Sequence, residues 1–106
     1  MEGIRFEWDE AKSLSNRRKH GVSIEEASQV FGDPLYVSLQ DRVEGGELRW
    51  QTLGLVEDLL PLTLAHTVRE ERGEGTNYDR PVDVIRIISA RPAIRRERRR
   101  YEDENS

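Results

Sequence analysis

From Ile4 to Trp8 apolar and charged residues alternate, with Ile4, Phe6 and Trp8 on one side and Arg5 and Glu7 on the other. That spacing predicts a short strand. Asp9 follows as a helix N-cap, Glu10 lies in the first turn, and the predicted helix runs to about His20, where Gly21 stops it. Ala11, Leu14 and the stem of Arg18 are the expected inner stripe. Arg17, Arg18, Lys19 and His20 crowd the last turn, where the helix dipole favours cations. Ser23 and Glu26 then form a capping box, with Val22 and Ala27 placed as a weak staple. The second helix carries Ile24, Ala27, Val30 and Phe31 on one face and ends at Gly32, before Asp33-Pro34.

Beyond Pro34 the pattern changes to strands. Tyr36 to Leu39 is a short one, and Gln40 to Gly46 is a polar turn. From Arg49 to Val56 a further strand sets Trp50, Thr52 and Gly54 against Arg49, Gln51, Leu53 and Leu55. Glu57 and Asp58 form a turn, and Leu59 to Val68 is the next strand, with Pro61 near its start. Arg69 to Pro81 is a long polar loop. Val84 to Ala90 is β-branched or small apart from Arg86, which suits a central strand buried on both faces. Alternation puts Arg86 on the face of Val84 and Ile88. Pro92 is expected to open a last helix, with Ile94 and Tyr101 on one face and Arg91, Arg95 and Arg98 or Arg99 on another. Residues 103–106 are expected to fray. The order β-α-α-β-β-β-β-α predicts an α+β fold over residues 1–106: a small, mainly antiparallel sheet with an N-terminal helical hairpin and a C-terminal helix.

Composition narrows this picture. Only 35% of the 106 residues are hydrophobic while 36% are charged, so the core must be thin. The net charge of −4 hides a segregation: from Arg86 to Arg100 there are seven arginines and one glutamate, and the rest of the chain has 20 acidic and 10 basic residues. A basic helix hinged on a rigid strand suits a polyanion, because guanidinium forks match phosphate geometry. There is no cysteine, hence no disulfide framework. No apolar run is long enough to span a membrane and no signal peptide is evident, so the chain reads as a cytoplasmic protein.

Candidate chemistry is sparse. His20 and His66 lie far apart without ligand-like spacing, so no metal site and no cofactor is expected. What remains is a set of polar residues on or beside strands: Arg49, His66, Arg69, Arg86 and Arg91. If these converge on one sheet face, they suit phosphodiester cleavage without a metal. That reaction needs a base for the RNA 2′-hydroxyl, cations for the phosphorane charge and an acid for the leaving oxygen. Arg69, Arg86 and Arg91 are the candidate charge stabilisers; His66 and Glu97 are the candidate proton carriers.

FEWDEAK, RKHGVSIEEASQVFGDP, LRWQTLG and IRIISARPAIRRERRRYE, in this order, resemble the BrnT toxins of bacterial type II toxin–antitoxin systems. The resemblance covers nearly the whole chain. It implies a RelE-like fold and a ribonuclease that inhibits translation. It also implies a BrnA-like antitoxin partner with a ribbon-helix-helix DNA-binding part, DNA being met only through that complex. The family-like positions are Trp8, Lys12, His20, Arg49, Arg69, Arg86, Arg91, Glu97 and Tyr101. The active-site role falls on Arg69, Arg86 and Arg91, with Arg49, Arg95, Arg98 and Tyr101 as RNA contacts, while Trp8, Lys12 and His20 are expected to fix the helices to the sheet. The loop from Arg69 to Asp83 is longer than the resemblance leads one to expect, which makes it a candidate gate. The alternative is a non-catalytic binding module that docks an antitoxin or nucleic acid through its C-terminal arginine helix.

Overall fold

A computed structural model describes residues 3–57, 61–72 and 81–106. Among these residues the fold is mixed α+β: β1 (Ile4–Glu7), α1 (Glu10–His20), α2 (Ile24–Ala27) running into a 3₁₀ turn (Ser28–Gly32), β2 (Val37–Glu44), β3 (Glu47–Gly54), β4 (Leu62–Glu71), β5 (Val82–Pro92) and α3 (Arg95–Glu104). The five strands form one sheet in the order β1-β5-β4-β3-β2. All neighbours are antiparallel except β1 and β5, which are parallel. β5 is therefore interior, but β4 holds the centre, and β5 is not buried on both faces as its composition predicts: Arg86 and Ser89 are exposed.

The caps follow the sequence. The Asp9 carboxylate accepts from Ala11 N and Lys12 N at 2.8 and 3.2 Å, and α1 ends at Gly21 in the left-handed region. At Ser23 both halves of the capping box are made. Ile24, Ala27, Val30 and Phe31 are all buried and form the core with Leu62, Leu64, Ile85, Ile87 and Ala90. Gly54 is required for this packing. A Cβ there would stand 2.7 Å from the Val30 side chain and 3.3 Å from its carbonyl, so any larger residue would push the 3₁₀ turn off the sheet.

α1 docks differently from its expected stripe. Leu14 is 62% exposed, whereas Ser13 and Asn16 are buried. Asn16 Nδ2 donates to Val22 O at 2.7 Å and Ala90 O at 2.8 Å, and its Oδ1 accepts from Ala90 N at 3.1 Å. Ser13 Oγ accepts from Ile24 N at 3.0 Å. A helix this polar has no apolar face to bury, so it is held by short side chains that satisfy backbone groups of β5 and α2. Trp8 packs against the core, but Lys12 and His20 are exposed and anchor nothing among the described residues.

Several boundaries also depart from expectation, beginning with α2, which gives way to the 3₁₀ turn after Ala27. β2 continues to Glu44 and turns at Gly45-Gly46, both at positive φ, so the predicted turn from Gln40 is mostly strand. Its distal half is exposed on both faces, which removes the alternation that marks a strand. β3 ends at Gly54, before Val56. β4 extends to Glu71, so Arg69 to Glu71 belong to a strand; residues 73–80 of the predicted loop lie outside the described residues, as does the predicted strand start at 59–60. Pro92 closes β5 instead of opening α3, which begins at Arg95. The C-terminus is tied down, since Asn105 Nδ2 donates to Leu35 O at 3.0 Å.

Candidate functional site

α1 and α2 cover one face of the sheet, and strand pairing fixes what lies on the other. Thr63 pairs with Arg91, Thr67 with Arg86, and Glu7 with Arg86. Paired residues share a face, so Arg86 and Arg91 are on the same side although they are an odd number of residues apart. A β-bulge resolves this. Ile87 pairs with His66 but Ser89 pairs with Ala65, which leaves Ile88 as the extra residue. The bulge re-aims Arg91 onto the face of Arg86. Arg69, two residues from Thr67, joins them, and Arg49, two residues from Gln51, which pairs with Ala65, does the same. Arg49, Arg69, Arg86 and Arg91 thus share the open face.

His66 does not. It lies on the helix-covered face, 2% exposed, with its ring edge-on to Phe31 at 5.3 Å. Nε2 is 2.6 Å from Thr52 Oγ1, which is 2.7 Å from Ser38 Oγ. Burial pushes the imidazole pKa below its ordinary value, so the ring is neutral at pH 7.

Each arginine has its own setting. Arg69 is gripped by Glu7, Nη1 to Oε2 at 2.9 Å and Nη2 to Oε1 at 2.7 Å, and also reaches Glu71 at 3.3 Å. Glu71 in turn accepts from Arg5 at 2.6 Å. The Arg69 hydrogen bonds hold the Glu7 carboxyl below the usual range and raise the Arg69 guanidinium. Arg86 is exposed, beside Glu7 in register, and among the described residues makes no ion pair or side-chain hydrogen bond. Arg49 buries its Nε with no hydrogen-bond partner among the described residues. A buried guanidinium N–H without an acceptor is uncommon and calls for a ligand or a neighbour.

Arg91 and Glu97 join the sheet to α3. The Arg91 guanidinium donates to Oε1 at 2.7 Å and to Oε2 at 2.9 Å, a fork-on-carboxylate pair. Glu97 Oε1 also accepts from Thr63 Oγ1 at 3.0 Å and from Ile94 N at 2.9 Å, capping the helix. Glu97 is buried, and the Arg91 hydrogen bonds bring its pKa down to about 2 against the penalty of burial. A carboxylate so saturated holds no proton at neutral pH, so its place is to aim Arg91.

On α3, Arg95, Arg96, Arg99 and Arg100 are exposed, whereas Arg98 folds back to donate to Ala93 O at 2.9 Å. Tyr101 points inward and donates to Asp33 Oδ2 at 2.6 Å, which also accepts from Leu55 N at 2.9 Å. The open face therefore gathers four of the expected arginines, together with Glu97, and leaves out His66 and Tyr101. It adds Glu7 and Glu71, which sequence reasoning passed over. Their only signal is alternation in β1 and the end of β4; the partner lies 62 residues away.

No curated protein matches the chain. A family model described as the ribonuclease toxin BrnT of type II toxin–antitoxin systems matches residues 8–97, most of the 106 residues, and the chain belongs to that family.

Proposed function

We propose that the open sheet face is the ribonuclease site and that it works without a metal. The observation that carries this reading is the convergence of Arg49, Arg69, Arg86 and Arg91 on one uncovered surface, with Arg86 and the Arg49 Nε unpartnered among the described residues. An RNA phosphodiester lying across the strands would give Arg86 an anionic partner. Attack by the 2′-oxygen forms a 2′-O–P bond and breaks the P–O5′ bond. The extra negative charge that builds on the phosphorane is what preset guanidinium groups stabilise. Arg86 and Arg69 lie diagonally across β5 and β4 and are placed to hold it. Arg91 is fixed by Glu97 at the α3 end, where the exposed Arg95 extends the cationic track for the RNA backbone. Glu7 is the carboxylate we assign to take the 2′-proton, freed when Arg69 turns from it to phosphate; the departing 5′-oxygen takes its proton from water.

The sheet with helices on one face and α3 across the end of the other is the plan we read as RelE-like. Membership of a type II system implies an antitoxin and an RNA target. We assign the antitoxin to the BrnA-like kind with a ribbon-helix-helix part, the DNA contact to that complex, and the place of action to the cytoplasm. Among the described residues no helix is long and apolar enough to cross a membrane.

Controlled expression in bacteria tests the reading. Wild type should arrest growth, and Arg86→Ala or Arg69→Ala should relieve the arrest while the protein stays folded. Arrest that survives both changes removes the site from this face. A second reading, a docking module without catalysis, is favoured by one fact: Glu7, Glu71 and Glu97 are each already engaged by arginine. It predicts salt-sensitive binding to RNA with no cleavage.

A further inference from the structure

On the helix-covered face, α1 and α2 stop short of the distal end of the sheet. A cavity of about 290 Å³ opens there, walled by Phe31, Tyr36, Trp50 and Val68, with His66 and Asp83 among its lining. Small-ligand pockets run from roughly 300 Å³ upward, so this one suits a single side chain or a single heterocyclic ring. Its mouth is apolar and open: Tyr36 is 43% exposed and Val68 42%. Phe31 and Tyr36 meet edge to face at 5.6 Å, which fixes the tyrosine ring as a wall.

The charge at the rim decides between the two occupants. Asp83 pairs directly across the strands with Glu70, on the same face. Like charges directly opposite each other destabilise a sheet. Among the described residues neither carboxylate takes part in an ion pair or a side-chain hydrogen bond. Aromatic faces add negative potential, and the imidazole at the back is neutral. A phosphate-bearing base would be repelled here; a cation would relieve the carboxylate pair and stack on the rings. Arginines thus line the open face of the sheet, and this acidic aromatic pocket lies on the other.

We propose that this pocket receives an arginine or lysine side chain of the antitoxin, as an anchor separate from the RNA face. The identity of the partner rests on the reading under Proposed function; the preference for a cation rests on the pocket alone.

The probe is N-acetyl-arginine amide, titrated into the full chain and followed by NMR, with the citrulline analogue and AMP as controls. The arginine amide should shift the Trp50 indole N–H and the amides of Ser38, Val68 and Asp83 saturably. Citrulline should bind at least about threefold more weakly, as should Asp83→Asn or Tyr36→Ala with the arginine amide, the range for one exposed charge or one cation–π contact. Equal binding of citrulline, AMP binding in place of the arginine amide, or no saturable shift at these positions overturns the proposal. Asp83→Lys should raise the dissociation constant for the cognate antitoxin about tenfold or more while RNA cleavage stays unchanged; an unchanged antitoxin affinity removes the antitoxin as occupant. If wild type fails to cleave RNA while the arginine amide still binds, the ribonuclease reading fails and the pocket stands.

Discussion

Replacing Glu97 by glutamine should unfasten α3 from the sheet and leave Arg91 without its anion. The carboxylate accepts four hydrogen bonds, two from Arg91 and one each from Thr63 and Ile94. Its side chain is 10% exposed, so solvent screens it little. A pKa lowered from 4.5 to about 2 corresponds to about 3 kcal/mol at 1.36 kcal/mol per pH unit. The Arg91 side chain is 37% exposed and partly screened, so we expect a loss of about 2–3 kcal/mol at pH 7. For a domain of this size that lowers Tm by about 10 °C. The sign with pH follows from the depressed pKa. The stabilisation is fully present above the ordinary carboxylate range, near 4.5, and is lost as pH falls toward 2. Urea melts followed by tryptophan fluorescence at pH 7, 4.5 and 2.5 measure this. Wild type should lose stability over that interval more steeply than Glu97→Gln, and the two should converge at the acid end. A difference below about 0.5 kcal/mol at pH 7, with parallel pH dependence, would refute the claim that this carboxylate holds the helix and Arg91 in place.

Further outcomes follow from the same contacts. Asn16→Ala should cost about 2–4 kcal/mol, because it strands Ala90 N, Ala90 O and Val22 O in a buried position, and hydrogen exchange at the Ala90 amide should speed up. Tyr101→Phe should cost about 1.5–3 kcal/mol through the lost hydrogen bond to Asp33. Burial first, then that bond, raises the Tyr101 pKa to about 12, so its contribution is present below pH 10 and lost as pH rises through 12; absorbance titration of the variant should lack the step near 12. Arg69→Ala should abolish RNA cleavage yet leave the urea midpoint nearly unchanged, since its ion pairs are exposed and screened by solvent.

Where local chemistry decides the structure, the sequence was readable. Asp9, the Ser23–Glu26 box and the 24/27/30/31 stripe each specify their own geometry within a few residues. Where a tertiary partner decides it, the pattern was silent. α1 has no apolar stripe, so its true inner face, Ser13 and Asn16, is visible only from the backbone groups it satisfies. The bulge at Ile88 adds one residue and reverses the face of everything after it, which alternation counted along one strand cannot show. Arginine as a residue type marked the candidate site, and four of the arginines do share a face. Which carboxylate holds which arginine depends on β1 lying parallel beside β5, and His66 faces the core because register pairs it with Trp50 and Ile87.

We assign metal-independent RNA cleavage to the open arginine face. Purified wild type, Arg86→Ala and His66→Gln should be incubated with RNA in the presence of EDTA, after circular dichroism has shown all three folded. This assignment requires cleavage by wild type and His66→Gln that survives EDTA, and a loss of about 100-fold or more in Arg86→Ala. Cleavage by folded Arg86→Ala at the wild-type rate would contradict it, as would wild-type cleavage that stops on adding EDTA.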